Sequence, residues 1–145
     1  MRAKESLVDV GFKALNVFHR SVISLSRGRI GRSAFGMPVV ELRTMGRVSG
    51  RTRSVILTAP IIDEGRVVLV ASKGGDDRDP EWYRNILVHP DVELVIAGER
   101  HRMRARNATK EERDELWPRV VSVYRHYNTY QRRAHREIPV VICEP

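Results

Sequence analysis

The stretch VVELRTMGRVSGRTRSVILT, residues 39–58, contains two β-forming segments separated by a turn. Residues 39–44 and 54–62 are rich in Val, Ile, Leu and Thr, the side chains that pack well in β-sheets. Gly46 and Gly50 lie between the two segments and supply the backbone freedom that a tight connection needs. The sequence therefore predicts a β-hairpin as the first unit of a β scaffold.

The tip of this hairpin has the chemistry of an anion-binding loop. Residues 44–53 hold three arginines, two glycines and three hydroxyl side chains. Guanidinium groups form charge-assisted hydrogen bonds with phosphate and carboxylate. Gly46 and Gly50 would let backbone N–H groups of the turn approach such an anion. This composition favours a phosphate-bearing ligand.

A second stretch, ASKGG at residues 71–75, is expected to face a flat ring. It places a lysine and a Gly-Gly backbone before the aromatic residues Trp82 and Tyr83. Gly74 and Gly75 carry no side chain and would leave space for a ring to lie against the chain. The two stretches together predict a cofactor with a phosphate and a ring, held between two loops of the β scaffold.

The rest of the pattern adds short strands. Further strands are predicted at residues 67–72, 92–97, 101–107 and 138–143, with hairpin turns at Asp63-Glu64-Gly65 and Gly98-Glu99. Hairpins imply antiparallel pairing, and the helices are too few for a doubly wound sheet. The expected fold class is α+β, with a small, partly open antiparallel β-barrel and peripheral helices.

Two helices are predicted around this barrel. Asp79-Pro80 is expected to start a short one, with Asp79 as its N-cap and Pro80 at the first helical position, and His89-Pro90 to end it. A capping box at residues 109–112 opens the second, which runs toward Tyr124. Pro118 is expected to kink or break that helix.

The N-terminal part has a different pattern. Apolar residues recur at spacings of three and four through residues 3–26, which is typical of an amphipathic helix, and a basic linker follows. Such a helix either packs on the core or lies on a membrane surface, because basic side chains flank its apolar face. We therefore divide the chain into a helix and linker, residues 1–35, and one globular barrel domain, residues 36–145.

Charge is unevenly distributed along the chain. Residues 1–60 carry eleven Lys and Arg against three acids, which accounts for the whole net charge of +8, and 22 of the 26 basic residues are Arg. Nucleic acid or an anionic membrane would also be attracted to this basic half of the chain.

The single cysteine, Cys143, excludes an internal disulfide. Without a signal-peptide pattern or a membrane-length apolar run, a cytoplasmic location is expected, with residues 1–30 as a candidate contact to the inner face of the membrane.

Standard nucleotide and metal motifs do not fit. GRVSGRT at residues 46–52 is one residue short of a Walker loop and lies between strands, and neither GxGxxG nor GxSxG occurs. The five histidines lack the spacings of metal-binding helices, so no metal site is predicted. The acidic residues Asp76, Asp77, Asp79 and Glu81 are expected to place charge at a helix N-terminus rather than to bind a cation.

The ordered set of motifs resembles one family. TxGRxSGxxR on a β-hairpin, then ASxGG, then PxWYxN, a tyrosine-rich segment and a terminal IPVVICEP are similar to the deazaflavin-dependent nitroreductases, the split-barrel reductases of actinobacteria that use coenzyme F-420. The similarity covers residues 36–145. It implies a split β-barrel, like the barrels that bind FMN, and an enzyme that uses F-420, with FMN as the alternative cofactor.

The resemblance also implies roles for individual residues. The phosphate and acidic tail would be held by the hairpin tip, Arg47, Val48, Ser49 and Arg53, and by the backbone of Ser54, Val55, Ile56, Leu57 and Thr58. The deazaflavin ring and tail would lie along Val70, Ala71, Ser72 and Lys73. The cofactor would be covered by Trp82, Tyr83 and Asn85, and also contacted by Tyr127. The substrate side would be lined by Tyr124, Tyr127 and Tyr130.

One position departs from the family pattern. The family often has a basic residue after Gly-Arg, where this chain has Val48, so one potential contact to the tail is lost and Arg51 is the candidate replacement.

The expected reaction is hydride transfer from the reduced deazaflavin to a quinone, an enone or a nitro-aromatic acceptor. Ser72 and the hydroxyls of Tyr124, Tyr127 and Tyr130 are the candidate catalytic donors, with Tyr127 the first choice for orienting substrate or relaying a proton. The alternative is that the three tyrosines merely cover the barrel.

Three other functions stay open from the sequence. They are an FMN-dependent reductase on the same barrel, a non-catalytic carrier of a deazaflavin, and a basic nucleic-acid-binding module. The last has only the charge and the barrel pattern in its favour, so no nucleic-acid partner is predicted. Either a monomer or a homodimer is compatible with the pattern.

Overall fold

The computed structural model describes residues 33–145, so the predicted helix at residues 3–26 lies outside the described part. Eight strands are present there: β1 Ser33–Ala34, β2 Met37–Met45, β3 Thr52–Thr58, β4 Ile61–Asp63, β5 Arg66–Val70, β6 Asp91–Ile96, β7 Glu99–Asn107 and β8 Val140–Glu144. Three α-helices accompany them: α1 Glu81–Val88, α2 Lys110–Val123 and α3 His126–Arg133. A short 3-10 turn covers Lys73–Gly75. The α+β class is confirmed.

The strands form one antiparallel sheet that curls on itself. The order runs β1-β2-β6-β7-β8-β5-β4. β3 pairs with residues 39–45 of β2 on the side opposite β6, beyond the two residues of β2 that pair with β1. β3 and β4 thus lie at opposite ends of the sheet, although only Ala59 and Pro60 separate them in sequence. A two-residue link can join the two edges only if the sheet curls toward closure. The partly open barrel is therefore confirmed.

The prediction of one strand over residues 54–62 is wrong. The segment divides into β3 and β4, which pair with different strands. Pro60 has no N–H for a sheet ladder, and the Ala59 N–H turns to the carbonyl of Pro38 at 2.8 Å. The chain therefore changes direction at residues 59–60 and passes from one edge of the sheet to the other.

Alternating side chains of the strands supply two apolar clusters. The interior cluster lies inside the curl of the sheet and includes Leu42, Leu69, Leu94 and the α1 residues Trp82, Tyr83 and Ile86. The outer cluster lies between the sheet and helices α2 and α3, and includes Met37, Val68, Leu116, Val120, Tyr127 and Ile142. The period of two along β5 shows the division, because Val67 and Leu69 face inward while Val68 and Val70 face the helices.

The helices match the predicted positions with two corrections. Pro80 itself is the N-cap of α1, and Asp79 makes no capping bond because its carboxylate accepts from Arg136. α2 runs through Pro118 without a break, so of the expected kink or break only the kink stays a prediction. Pro118 has no N–H to donate to the carbonyl of Asp114, four residues earlier. Both residues are exposed, so water can hydrogen-bond to that carbonyl instead. The capping box at Thr109 and Glu112 is confirmed.

Two hairpin turns use left-handed backbone. Glu64 and Gly65 link β4 to β5 at φ 51° and 77°, as predicted. The β6–β7 turn is centred on Ala97 and Gly98, at φ 50° and 83°, one residue earlier than predicted. Both residue pairs have the positive φ values that two-residue hairpins favour.

Candidate functional site

The turn between β2 and β3 is closed by its own backbone. The Gly46 N–H donates to Arg51 O at 2.8 Å, and the Gly50 N–H donates to Gly46 O at 2.9 Å. The Arg51 N–H donates to Ser49 Oγ at 3.2 Å. The backbone N–H groups of Gly46, Gly50 and Arg51 are therefore engaged within the turn, and the approach of the other N–H groups of the turn to an anion stays a prediction. The arginine side chains of the tip are the other candidate donors to an anion.

Asn85 on α1 fixes the position of the hairpin tip. Asn85 is 4% exposed. Its Oδ1 accepts from the backbone N–H of Arg47 at 3.2 Å and from Nη1 of Arg47 at 3.0 Å. Its Nδ2 donates to Thr44 Oγ1 at 3.1 Å. Arg47 Nη1 also donates to Glu81 Oε2 at 2.9 Å. The hairpin is thus bonded to α1, and the Arg47 guanidinium is already engaged.

Two other arginines of the tip are exposed and unpaired. Arg51 and Arg53 make no ion pair with any of residues 33–145. Ser54 Oγ is buried and has no hydrogen-bond partner in the same part of the chain. A buried hydroxyl without a partner costs free energy unless a ligand or water satisfies it. Ser54 follows Arg53 along β3, so its hydroxyl lies on the opposite side of the strand from the Arg53 side chain. The two unpaired cations by themselves suit an anionic group, which is the fit expected for a phosphate-bearing tail.

Neighbouring residues of β3 alternate between two sides of the sheet. Val55 and Leu57 pack on the interior cluster, while Thr58 lies on the other side and bonds to Tyr127. Ile56 is buried, and Val48 at the tip is 90% exposed. The predicted cofactor-binding residues of this segment therefore surround the strand, rather than sharing one face.

The ASKGG stretch forms the second part of the site. Ala71 is fully buried and belongs to the same interior cluster as Trp82 and Tyr83 of α1, and the Tyr83 hydroxyl donates to Asn107 Oδ1 at 3.0 Å. Ser72 is 8% exposed. α1 thus contacts both predicted loops, the hairpin through Asn85 and the ASKGG stretch through its aromatic residues.

Three consecutive residues of this stretch have left-handed backbone. Lys73, Gly74 and Gly75 have φ of 46°, 63° and 85°. A Cβ at Gly75 would lie 3.0 Å from the carbonyl oxygen of Tyr130 and 3.2 Å from Cβ of Arg133. The space beside Gly75 is therefore filled by α3 and is not left for a ring, which corrects the expected reason for this glycine.

The acidic residues that follow are paired rather than grouped at a helix end. Asp76 bonds to Arg78, Asp77 to His135, and Asp79 to Arg136. Glu81 alone lies in the first turn of α1, where it also pairs with Arg47. No group of three or more potential metal ligands occurs within residues 33–145.

The three tyrosines form one cluster at the junction of α2 and α3. Ring centroids of Tyr124 and Tyr127 lie 5.1 Å apart, and each lies 6.3 Å from that of Tyr130. The hydroxyls of Tyr124 and Tyr130 are 3.2 Å apart. The Tyr127 hydroxyl lies 3.3 Å from Thr58 Oγ1 and donates to the sulfur of Met37 at 3.6 Å. The three side chains therefore lie together on one side, as their spacing of three residues predicted.

Burial changes the acidity of two of these phenols. Desolvation raises the pKa of Tyr127 to about 12, although the Thr58 hydroxyl partly opposes the shift. Desolvation and then the hydrogen bond with Tyr130 raise the pKa of Tyr124 well above its ordinary value. Both phenols therefore keep their protons at neutral pH and can act as hydrogen-bond donors.

The described part of the chain is thus a split-barrel protein, a curled antiparallel half-barrel with an arginine-rich hairpin and a phenol cluster. The sequence pattern of the family described as F420H(2)-dependent quinone reductase matches residues 18–145. An F420H(2)-dependent quinone reductase of Mycobacterium tuberculosis is 35% identical over 137 residues, covering 92% of this chain and 91% of the relative. The chain belongs to the F420H(2)-dependent quinone reductase family and is an oxidoreductase.

Solved structures give the same result. The structure described as an F420-H2-dependent reductase, FDR-A, is 37% identical with a TM-score of 0.67, and the match covers 74% of this chain and 94% of that one. A second structure, described as a domain-swapped dimer, is 34% identical with a TM-score of 0.70, covering 88% and 96%. A haem-binding protein of Mycobacterium smegmatis, at 16% identity and a TM-score of 0.57, shares the fold alone. The family description specifies F-420 and gives no support to the FMN alternative.

The membrane and location hypotheses depend mainly on residues outside the described part and stay predictions. All three helices within residues 33–145 are too short or too polar to span a bilayer. Two features of the site were not predicted: the bonds of Asn85 to Arg47 and Thr44, since Asn85 was expected only to cover the cofactor, and the contacts of Arg136. Neither residue belongs to a periodic pattern, so only the tertiary structure reveals their partners.

Proposed function

We propose that this enzyme transfers hydride from reduced coenzyme F-420 to a quinone. The observation that carries the proposal is the pair of exposed arginines, Arg51 and Arg53, which have no acidic partners within residues 33–145. A phosphate-bearing acidic tail would supply the missing anions. The quinone is proposed because the matching family is described by that acceptor.

The proposal assigns the two ends of the cofactor to different elements. Arg51, Arg53 and Ser49 would bind the tail at the hairpin tip, and the backbone of residues 54–58 would pass along it. Residues 70–73 would contact the ring, which Trp82 and Tyr83 support from α1. When bound, the reduced deazaflavin supplies a hydride, and carbon at ring position 5 favours two-electron transfer.

Arg47 has a different part in this proposal. Its guanidinium is bonded to Glu81 and Asn85, and its own backbone N–H is also bonded to Asn85. We assign it to holding the hairpin on α1, so that the arginines further along the turn face the tail. Arg51 then supplies the cation that Val48 does not.

The acceptor side is assigned to the tyrosine cluster. Tyr124 and Tyr130 are half-buried and their hydroxyls lie 3.2 Å apart, so either can donate to an oxygen that gains negative charge as the quinone is reduced. Tyr127 is 4% exposed, which favours a positioning role through Thr58 over direct contact with the acceptor. Ser72 remains a candidate donor on the cofactor side.

Binding and turnover with purified protein test the proposal. Reduced F-420, oxidised F-420, FMN and NADPH are titrated separately, and oxidation of reduced F-420 is then followed with menadione, cyclohexenone and a nitro-aromatic compound. We expect F-420 to bind, FMN and NADPH not to bind, and menadione to be reduced fastest. Tight binding of F-420 without oxidation by any acceptor would instead indicate a carrier, and preferential binding of FMN would contradict the cofactor assignment.

A further inference from the structure

Arg136 lies in an irregular segment between α3 and β8, yet its guanidinium bonds to four groups of the ASKGG stretch and the residues after it. Nη2 donates to the carbonyls of Ala71 and Ser72, both at 3.1 Å. Nε donates to the carbonyl of Asp76 at 3.0 Å, and Nη1 donates to Asp79 Oδ1 at 3.0 Å. Three of the four acceptors are backbone carbonyls, so these bonds fix the backbone conformation of the stretch and do not depend on its side chains.

Loss of these bonds would be costly, because the Arg136 side chain is largely buried. The Arg136 side chain is 14% exposed, less than most of the ion-paired arginines of residues 33–145. Buried carbonyls that lose their donor are costly, and a planar guanidinium can serve several of them at fixed angles. A lysine ammonium in its place could reach one or two of these acceptors, but it could not hold all four in the same geometry.

Neighbouring residues join the same stretch to α3. Arg133 Nη1 donates to the Gly74 carbonyl at 3.1 Å. The backbone N–H of His135 donates to Asp77 Oδ1 at 2.8 Å. Gly75 packs directly on the backbone of Tyr130. The stretch that precedes α1 and the helix that carries two of the tyrosines are therefore held together at several points.

We propose that Arg136 is a positioning residue for hydride transfer. It holds the backbone of residues 71–76 in the conformation that presents Ser72 and Lys73 to the deazaflavin ring, and it fixes that backbone relative to α3 and its tyrosines. The inference rests on the proposed function, because it needs F-420 at this stretch. Errors of about 1 Å in the placement of reacting groups can lower a rate about a hundredfold, so the loss of this guanidinium should affect chemistry as well as binding.

The test compares Arg136→Gln and Arg136→Lys with a control, Arg106→Gln. Arg106 has a comparable network, with bonds to Glu112, Glu144 and the carbonyl of Asn107, but it does not touch the ASKGG stretch. Five quantities are measured: the melting temperature, Kd for F-420, kcat and KM with menadione, and the amide hydrogen exchange of Gly75 and Asp76 without cofactor. The Gly75 and Asp76 amides donate to Ser72 O and Lys73 O, so their exchange reports the turn itself.

We expect Arg136→Gln to raise Kd about tenfold, to lower kcat about tenfold or more and to speed exchange at Gly75 and Asp76. Arg136→Lys should recover part of both losses. In one further variant, Arg136→Gly, millimolar guanidinium should restore turnover more than methylammonium does, because only the planar guanidinium can serve several carbonyls. Arg106→Gln should lower the melting temperature while Kd and kcat stay within about twofold of wild type.

Two results would contradict the inference separately from the proposed function. If Arg136→Gln speeds exchange but leaves Kd and kcat like those of Arg106→Gln, the residue is structural only. If Arg136→Gln does not fold, Arg136→Lys with unchanged Kd and kcat would likewise show a purely structural role. A wild-type protein that binds no F-420 would overturn the proposed function itself, and the positioning role with it.

Discussion

The hydroxyl of Tyr127 on α3 lies 3.3 Å from the hydroxyl of Thr58 at the end of β3. This contact joins the helix that carries two of the tyrosines to the strand predicted to run along the cofactor. Because Tyr127 is almost fully buried, its hydroxyl has few other partners, and the sulfur of Met37 is the second one. The two sides of the proposed site are thus connected by side chains as well as by the sheet.

We expect Tyr127→Phe and Thr58→Val each to lower turnover about tenfold while leaving F-420 affinity nearly unchanged. If the tyrosine acts through Thr58, the double variant should lose no more than either single one, since both changes remove the same bond. Steady-state kinetics of the three variants provide the test. Additive losses would show that Tyr127 acts elsewhere, and unchanged turnover in Tyr127→Phe would remove its hydroxyl from the reaction.

Removal of the Asn85 side chain should loosen the hairpin from α1. Asn85→Ala leaves donors of Arg47 and the hydroxyl of Thr44 without their partner in a buried place, which should cost about 1–3 kcal/mol of unfolding free energy. F-420 affinity should fall as well, because the arginine-rich tip is no longer fixed. Urea denaturation and cofactor titration measure the two effects. The exposed Asn128→Ala is the matched control and should change stability by less than about 0.5 kcal/mol.

Stability at acidic pH should depend on Glu112. Hydrogen bonds from Arg106 and then from the Thr109 backbone lower the pKa of Glu112 from its ordinary 4.5 to about 2. A carboxylate whose pKa is depressed by folding stabilises the protein fully above its unfolded value and loses that contribution as pH falls toward the folded value. Glu112→Gln should therefore cost about 0.5–1 kcal/mol at pH 7, with the difference from wild type shrinking between pH 4.5 and pH 2.

Chemical denaturation at several pH values measures this difference. Gln at this position can keep the neutral part of the capping box, so the comparison isolates the charge. A difference that stays constant from about pH 7 to about pH 3, or grows on acidification, would contradict the assignment of the shift to Arg106 and Thr109.

Cys143 should be inert in the folded protein. It is fully buried in β8, and desolvation, followed by the charge of Glu144, raises the pKa of its thiol to about 12. The thiolate is the reactive form, so at about pH 8 a thiol reagent should modify the folded chain far more slowly than the urea-unfolded chain. Fast modification without denaturant would show that β8 opens readily.

Local sequence signals predicted much of the fold, and their success follows from their range. The Glu64-Gly65 turn, the capping box at Thr109 and the end of α1 at His89 depend on residues within about four positions of each other, where backbone chemistry decides the structure. The strand predicted over residues 54–62 contains Pro60, and its division depends on which distant strands the two halves meet.

The site was predictable in composition but not in its bonding. The hairpin arginines and the ASKGG stretch stand out in the sequence, and α1 contacts both. Which arginine is engaged and which is unpaired depends on residues 34 to 38 positions away, as the bonds of Arg47 to Glu81 and Asn85 show. Arg136 gives no sequence signal because its acceptors are mainly carbonyls, which every residue has.

The central claim is that the unpaired arginines of the hairpin bind the anionic tail of F-420 while residues 70–73 bind its ring. The most direct measurement is a pair of titrations, one with F-420 and one with the same deazaflavin chromophore lacking the phosphate tail. Each is performed on wild type and on a variant carrying both Arg51→Gln and Arg53→Gln. The account predicts that the variant loses about tenfold or more in affinity for F-420, with little change for the tailless chromophore. Equal losses for both ligands, or no loss for either, would contradict it.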